Sequence, residues 1–201
     1  TTADGTGAIG FALGIMTALL ERERHGTGQS VSTSALGAQI FIQSWEIQQC
    51  ILTGEPLQRA GSYMPNIRGP YGIYEASDGG TFLFTSAGDE GWGLLCEKGG
   101  DPELANDENW NDAFKRMGAA PEMQSEESVS NVRDRMKSIF KRKTTAEWRD
   151  FFRSRDDCIV EKIQDHSEVL SDPQVLANDY VVPMNFEGIG ESMVVGNQVQ
   201  L

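Results

Sequence analysis

Two stretches of this sequence hold residues whose types and spacing could do chemistry. The segment GTGAIG at 5–10 spells Gly-x-Gly-x-x-Gly, the spacing that lets a backbone approach the phosphates of a dinucleotide at a helix N-terminus. The segment SAGDEGW at 86–92 places Asp89 and Glu90 between two glycines, at a predicted junction of strand and helix. Loops at such junctions often line binding sites.

The glycine pattern at 5–10 lacks the context that a dinucleotide site needs. Such a site requires a buried strand before the first glycine, and only four residues precede Gly5. No second strand ending in an acidic residue follows at the expected distance. The favoured interpretation is that the glycines let a helix start tightly and pack close to a neighbouring backbone, with nucleotide binding as the alternative.

The loop at 86–92 supports two interpretations. Gly88 and Gly91 flank its two acidic residues, which could face a ligand. Adjacent carboxylates at the start of a helix also stabilise that start, since they complement its positive end. The residues alone leave both interpretations open.

Histidine and cysteine usage predicts neither a metal site nor a catalytic thiol. His25 and His166 are the only histidines, and neither has a ligand partner at metal-binding spacing. Cys50, Cys96 and Cys158 are far apart and odd in number, which indicates a reducing cytoplasm without a disulfide framework. Their apolar contexts favour core positions over nucleophiles. A Gly-x-Ser-x-Gly nucleophile motif is also absent from the sequence.

Charge is unevenly distributed along the chain. The formal net charge of −13 argues against nucleic acid as a partner. Residues 133–155 nevertheless hold nine Lys or Arg against three Asp or Glu, whereas 156–201 hold one basic and nine acidic residues. The basic run coincides with a predicted amphipathic helix, which favours a solvated face. A patch that attracts a phosphorylated cofactor is the alternative.

Periodicity and turn residues predict the elements that position these stretches. The 201 residues suffice for one domain or two small ones. Residues 56–70, rich in Pro and Gly, read as an irregular connection. We predict helices at 7–25, 36–52, 92–98, around 110–117, 129–140, after a capping box at Thr144–Glu147, and at 172–180. We predict strands at 29–35, 71–77, 81–87 and 158–163, and a closing hairpin from residue 181.

No membrane or secretory segment is predicted. The longest apolar run, 8–20, is short and is interrupted by Gly10, Gly14 and Thr17, which argues against a transmembrane helix. The pattern of a secretory signal is missing, so we expect a cytoplasmic location. The sequence starts TTADGTG without Met, which indicates a fragment or a processed piece.

The order of several segments resembles the class III CoA-transferase family. The clearest are GIMTALLERERHGTGQSV at 14–31 and GPYGIYEASDG at 69–79, followed by a Trp-led helix, KTTAEW at 143–148 and DP at 172–173. The resemblance runs through essentially all 201 residues, and the ordered set is more specific than any one member. The family includes formyl-CoA transferase, carnitine CoA-transferases and α-methylacyl-CoA racemase.

The resemblance implies an α+β fold in two parts. Residues 1–58 would form a helical segment joined to a large domain, and 59–201 a small mixed domain of β-hairpins and helices. In the family the catalytic Asp and most CoA contacts lie upstream of the Gly-rich helix, so no catalytic residue is expected in this chain. The family forms interlocked homodimers with each active site between a large and a small domain. Substrate-binding residues here would be Gly88, Asp89, Glu90 and Trp92.

The implied function is transfer of coenzyme A from an acyl-CoA to a carboxylic acid, by an intact enzyme of which this chain is an inactive part. The CoA thioester is then a substrate, and no cofactor or metal is expected in this chain. An α-methylacyl-CoA racemase-like fragment and a non-catalytic partner subunit are the alternatives. The racemase branch has an additional carboxylate in this loop, and alignment on Trp92 puts Gly88 at that position. Members also often have a Pro-containing strand where this chain reads CIVEKI at 158–163.

Overall fold

The computed structural model describes residues 2–59, 61–64, 67–118 and 124–199. They divide into two compact units, one up to residue 60 and one from residue 61 onward. Part of the irregular segment predicted at 56–70 lies outside the described residues.

The first unit consists of three helices. They are α1 (Thr2–His25), α2 (Ala35–Ile42) and α3 (Ser44–Thr53), and α1 packs against α2. The single helix predicted at 36–52 is interrupted at Gln43, whose φ of −101° and ψ of 22° depart from helical values. Ser34 caps α2 by accepting a 3.0 Å hydrogen bond from the Gly37 amide. The predicted strand at 29–35 is wrong, because the described residues of this unit contain no second strand that could pair with it.

The glycines of the fingerprint lie inside α1, which begins before Gly5. They therefore do not start the helix, and they do not form the turn between strand and helix that a dinucleotide site requires. Close packing accounts for Gly14 outside the fingerprint, where a Cβ would lie 2.9 Å from Cγ1 of Val31. It does not account for the fingerprint itself, since a Cβ on Gly7 would make an ordinary 3.6 Å contact with Ala38, and one on Gly5 or Gly10 would meet nothing within 4 Å among the described residues.

The apolar stripe of α1 is exposed within its unit. Leu13 and Met16, two residues whose spacing predicted the helix, are 69% and 63% exposed. By length and composition α1 could cross a membrane, so the argument that the apolar run at 8–20 is too short and too interrupted for a membrane span does not hold. Core helices of soluble proteins pass the same test, and the absence of a membrane segment stays a prediction.

The second unit is built on a three-stranded antiparallel sheet. Strand β1 (Gly72–Glu75) pairs with β2 (Thr81–Ala87), which pairs with β3 (Cys158–Lys162). Along β1 burial alternates, with Tyr74 inward and Glu75 outward, as a sheet with one covered face requires. The turn before β2 contains Gly79 at φ +88°, a conformation that favours glycine. The predicted hairpin is confirmed.

Helices cover one face of this sheet. Between β2 and β3 lie α4 (Asp89–Lys98), a 3₁₀ turn (Pro102–Asn106), α5 (Ala113–Arg116), α6 (Glu126–Phe140) and α7 (Thr145–Arg153). The predicted amphipathic stripe of α6 is buried, and it consists of Val129, Val132, Met136, Ile139 and Phe140. The predicted capping box of α7 is confirmed, because Thr144 and Glu147 each accept a hydrogen bond from the other's backbone N–H.

An aromatic cluster joins these helices to the sheet. The Phe140 ring stacks on Tyr74 with centroids 5.1 Å apart, and it packs against Trp148 at 5.4 Å. Trp148 donates its indole N–H to the Phe140 carbonyl at 2.8 Å, so this buried polar group is paired. Burial raises the pKa of the Tyr74 hydroxyl well above its usual range, and that hydroxyl donates to the Pro70 carbonyl.

Two short helices and a second hairpin follow the sheet. They are α8 (His166–Val169), α9 (Pro173–Ala177), β4 (Val181–Phe186) and β5 (Gly190–Val195). Strands β4 and β5 pair antiparallel in a separate sheet, which confirms the predicted closing hairpin.

The cluster predicts a large difference between two phenylalanines. Phe140→Ala should lower the free energy of unfolding by about 3–5 kcal/mol, because it leaves a cavity among packed rings. Phe114→Ala is the matched control, since Phe114 is 75% exposed, and it should cost less than about 0.5 kcal/mol. Urea denaturation followed by circular dichroism measures both. Similar losses in the two variants would contradict the placement of Phe140 at the centre of the core.

Candidate functional site

The candidate loop at 86–92 connects β2 to α4. Gly88 is the N-cap residue, and α4 begins at Asp89, three residues earlier than the sequence predicted. Asp89 and Glu90 therefore occupy the first turn, where negative charge complements the helix dipole. Neither carboxylate acts as the N-cap, since that position has no side-chain hydrogen bond.

A buried arginine holds one side of the loop. The Arg116 side chain is only 2% exposed and donates to the Asp89 carboxylate at 2.7 Å. It also donates to the carbonyls of Ala87, at 3.0 Å, and Trp110, at 2.8 Å. Its guanidinium carbon lies 5.0 Å from the centroid of the Trp92 ring, within range of a cation–π interaction. A charge this buried requires such pairing, so these segments are fixed relative to one another.

Asp157, just before β3, holds the other side of the loop. Its carbonyl accepts from the Gly88 amide and its carboxylate accepts from the Gly91 amide, both at 2.6 Å. Arg155 donates to the same carboxylate at 2.7 Å and lies 3.5 Å from the Glu90 carboxylate. The Arg155 guanidinium, and then the Gly91 N–H, hold the pKa of Asp157 below its usual range.

The approach of Asp157 and Cys158 requires glycine at position 91. A Cβ there would lie 2.5 Å from the Cys158 sulfur and 2.6 Å from the Asp157 carboxylate, closer than real contacts allow. Burial, with the neighbouring Asp157 carboxylate, raises the pKa of Cys158 to about 11. Its thiol is therefore protonated near neutral pH, and the structure gives no activated nucleophile at this position.

The four predicted site residues differ in accessibility. Asp89 and Glu90 have side chains that are 64% and 81% exposed, and each faces an arginine. Trp92 is 1% exposed and packs against Phe84, so its ring belongs to the core. Gly88 contributes backbone to the junction with Asp157. Substrate contact by these four residues stays a prediction.

Sequence reasoning missed the residues that hold the loop. Arg116 lies in a polar stretch, and nothing in its neighbours distinguishes it from a solvent-exposed arginine. Asp157 follows Arg155 and Asp156 directly before a predicted strand, and a charge pair at a strand end was the one local signal available. Their partners lie far away along the chain, beyond any local pattern.

Metal-ligating groups do not cluster in the described part of the chain, where no set of three or more His, Cys, Asp or Glu side chains could hold an ion. His25, the last residue of α1, lies 3.9 Å from the Glu21 carboxylate. His166 is the first residue of the short helix α8. Burial raises the pKa of Cys96 to about 12, as befits the core position predicted for it.

Sequence comparisons relate the whole chain to one family. The model of CoA-transferase family III matches residues 1–201. Succinyl-CoA–D-citramalate CoA-transferase of Chloroflexus aurantiacus is 28% identical over 188 residues, which cover 94% of this chain and 44% of that protein. Alpha-methylacyl-CoA racemase of Mus musculus is 26% identical over 158 residues, or 78% of this chain and 37% of the racemase. The chain thus spans less than half the length of these relatives.

Solved structures show the same fold. Rv3272 of Mycobacterium tuberculosis superposes with a TM-score of 0.71 at 17% identity, covering 94% of this chain and 46% of that one. A CAIB/BAIF family protein from Brucella suis gives a TM-score of 0.67 at 21% identity, covering 99% and 48%. The predicted α+β fold of helices with small antiparallel sheets is confirmed.

Removal of the buried Arg116 guanidinium should lower the free energy of unfolding more than neutralisation of its exposed partner, Asp89. Arg116→Met leaves the Ala87 and Trp110 carbonyls without their donor, at about 1–3 kcal/mol for each buried acceptor. Asp89→Asn preserves shape at an exposed position and should cost less than about 1 kcal/mol. Urea denaturation measures both, and hydrogen exchange of the 88–92 amides should accelerate only in the arginine variant. A larger loss of stability in Asp89→Asn than in Arg116→Met would contradict the role of Arg116 in holding the loop.

Stability should depend on pH through Asp157. Because its folded pKa lies below the unfolded value of 3.8, the carboxylate contributes stability above that value and loses it as pH falls through the folded pKa. The stability difference between the natural chain and Asp157→Asn should therefore shrink as pH falls from about 5 towards 2. Asp156→Asn is the control, since this neighbour is exposed and its substitution should change the free energy of unfolding by less than about 0.5 kcal/mol. A pH-independent difference for Asp157→Asn would refute the role of its charge.

Proposed function

This chain belongs to CoA-transferase family III, and from that premise we propose that it serves in the transfer of coenzyme A from an acyl-CoA to a carboxylic acid. The match of the family model to residues 1–201 carries the proposal. The protein of Chloroflexus aurantiacus named above, a CoA-transferase by its name, aligns with 94% of the chain. The CoA thioester and the acid are the substrates, and the reacting carboxylate is supplied by a part of the enzyme outside these 201 residues.

The candidate loop supports this division of roles. A carboxylate paired with a cation is a weaker nucleophile, because the cation stabilises its negative charge. Asp89 pairs with Arg116, and Glu90 lies against Arg155. Both acids thus stabilise the loop, whose backbone is fixed from two sides. We assign it the role of a rigid wall that contacts substrate through Gly88, Asp89 and Glu90, with Trp92 supporting it from the core.

The exposed apolar helices of the first unit fit the same proposal. Among its exposed apolar side chains are Leu36, Phe41, Trp45 and Leu52, an extent unusual for a surface that faces only water. We propose that residues 1–58 join the large domain of the intact enzyme, and that 59–201 form its small domain. A cytoplasmic homodimer, with each active site shared between subunits, completes the proposal.

A racemase-like activity is the second candidate. The mouse racemase aligns with 78% of this chain, and proton transfer at the α-carbon would replace acyl exchange. Incubation of the intact enzyme with a 2-methylacyl-CoA in D₂O separates the two: a racemase incorporates deuterium at the α-carbon, and a transferase does not. A non-catalytic subunit is the third, and a CoA-transferase chain recovered with this one by affinity purification would favour it.

The test of CoA transfer compares the 201-residue chain with the intact protein of the same gene. Each is mixed with succinyl-CoA and a dicarboxylic acceptor, and new CoA thioesters are measured by mass spectrometry. We expect turnover by the intact protein and none by the chain alone. Trapping with hydroxylamine or borohydride should mark a carboxylate outside these 201 residues. Turnover by the chain alone, with a mark on Asp89 or Glu90, would overturn the assignment of the nucleophile.

A further inference from the structure

A cleft of about 350 Å³ lies within the second unit, where α7 meets β3. This volume falls in the range of small-molecule sites, about 300–1,000 Å³. Its apolar lining consists of Phe82, Phe152 and Val160. Its polar lining includes Arg149 and Arg153 of α7, Arg155, Lys162 of β3, and Gln164 and Asp172 beyond it. No step of the proposed CoA transfer uses this cleft.

The cleft is basic on an acidic chain. Four cationic side chains line it against two acidic ones, Glu161 and Asp172, although the chain as a whole carries a formal charge of −13. Three of the four cations belong to the basic run at 133–155. The structure thus gathers part of that run around a concavity, whereas a purely solvated face would spread it over a convex surface.

Two of the four cations are already neutralised. Arg155 pairs with Asp157 and Glu90, and Lys162 pairs with Glu168. These contacts hold both side chains at the edge of the cleft.

The other two cations, Arg149 and Arg153, are available. Within the described residues the Arg153 side chain makes no hydrogen bond or ion pair, and Arg149 interacts with the Asp172 carboxylate. The Asp172 carboxylate already accepts from the Gln164 side chain and from two amides at the start of α9. Arg149 therefore shares an acid whose oxygens are occupied.

Helix geometry places these two guanidinium groups together. Positions 149 and 153 are four positions apart on α7 and therefore lie on one helix face. Like charges at this spacing repel each other, so an anion between them relieves the repulsion as it binds. Guanidinium groups donate in a fork that matches tetrahedral oxyanions.

We propose that Arg149 and Arg153 bind the phosphate monoester of a small phosphorylated ligand in this cleft. A phosphate monoester carries about −1.5 to −2 charges at pH 7, so it complements the unpaired Arg153 together with Arg149 better than a carboxylate, which carries one charge. At about 350 Å³ the cleft suits a small phosphorylated molecule or the phosphorylated end of a larger one. The CoA 3′-phosphate and a free phosphate or phosphorylated metabolite are two sources of this group, and the site stands whether or not the chain serves in CoA transfer.

Calorimetric titration of the 201-residue chain at fixed ionic strength tests the proposal, with CoA, dephospho-CoA, inorganic phosphate and succinate as the probes. CoA, inorganic phosphate or both should bind. Arg153→Gln should weaken that binding about tenfold or more, the double variant with Arg149→Gln should weaken it further, and Arg153→Lys should restore part of it. Arg142→Gln is the matched control, because Arg142 is exposed and lines a different cleft, and its binding should equal that of the natural chain.

The pattern across probes identifies the source of the phosphate. CoA binding tighter than both dephospho-CoA and inorganic phosphate assigns the cleft to the 3′-phosphate of CoA, whereas equal affinity for CoA and inorganic phosphate assigns it to a small phosphorylated ligand. Three results overturn the proposal. They are no binding of CoA or phosphate at millimolar concentration, succinate binding as tight as phosphate binding, or a loss of affinity in Arg142→Gln equal to that in Arg153→Gln. None of these outcomes depends on CoA transfer, so this proposal and the function can fail separately.

Discussion

The position of the candidate loop depends on one buried cation. The Arg116 guanidinium donates to the end of β2 at Ala87, to the chain before α5 at Trp110 and to the first turn of α4 at Asp89. Both terminal nitrogens of the guanidinium find acceptors, although the buried Nε–H has none among the described residues, so separation of these three segments would leave the buried charge without its acceptors. The arginine thereby couples the loop to the fold of the whole second unit.

Asp157 supplies the complementary constraint from the opposite strand. The Asp157 carboxylate accepts a hydrogen bond from the Gly91 amide of the loop, and the Arg155 guanidinium connects this carboxylate to that of Glu90. The loop is thus held by a cation on one side and by an anion on the other, and both of its acids are used in the process. This arrangement makes the loop a surface of defined shape whose charges are largely balanced.

Elements that depend on local signals were predictable. The stripe of α6, the capping box of α7 and both hairpins follow from the spacing of apolar, turn and capping residues within about ten positions of each other. The strand predicted at 29–35 is wrong, because alternation of residue types does not produce a strand without a partner strand to pair with. The loop and its acids were found from sequence, but Arg116 and Asp157 were not, since both act on residues far away in the chain. The residues next to an arginine in the sequence do not indicate whether that arginine is buried.

The distribution of charge carries information that the net charge hides. A chain with formal charge −13 repels polyanions over long distances, yet screening limits each charge to about 8–10 Å at ordinary ionic strength. Inside that range the guanidinium groups of Arg149 and Arg153 contribute positive charge to the cleft, beside the acids Glu161 and Asp172. For a ligand small enough to enter the cleft, the side chains that line it therefore matter more than the net charge of the chain. Net charge and local charge thus act on different classes of anion.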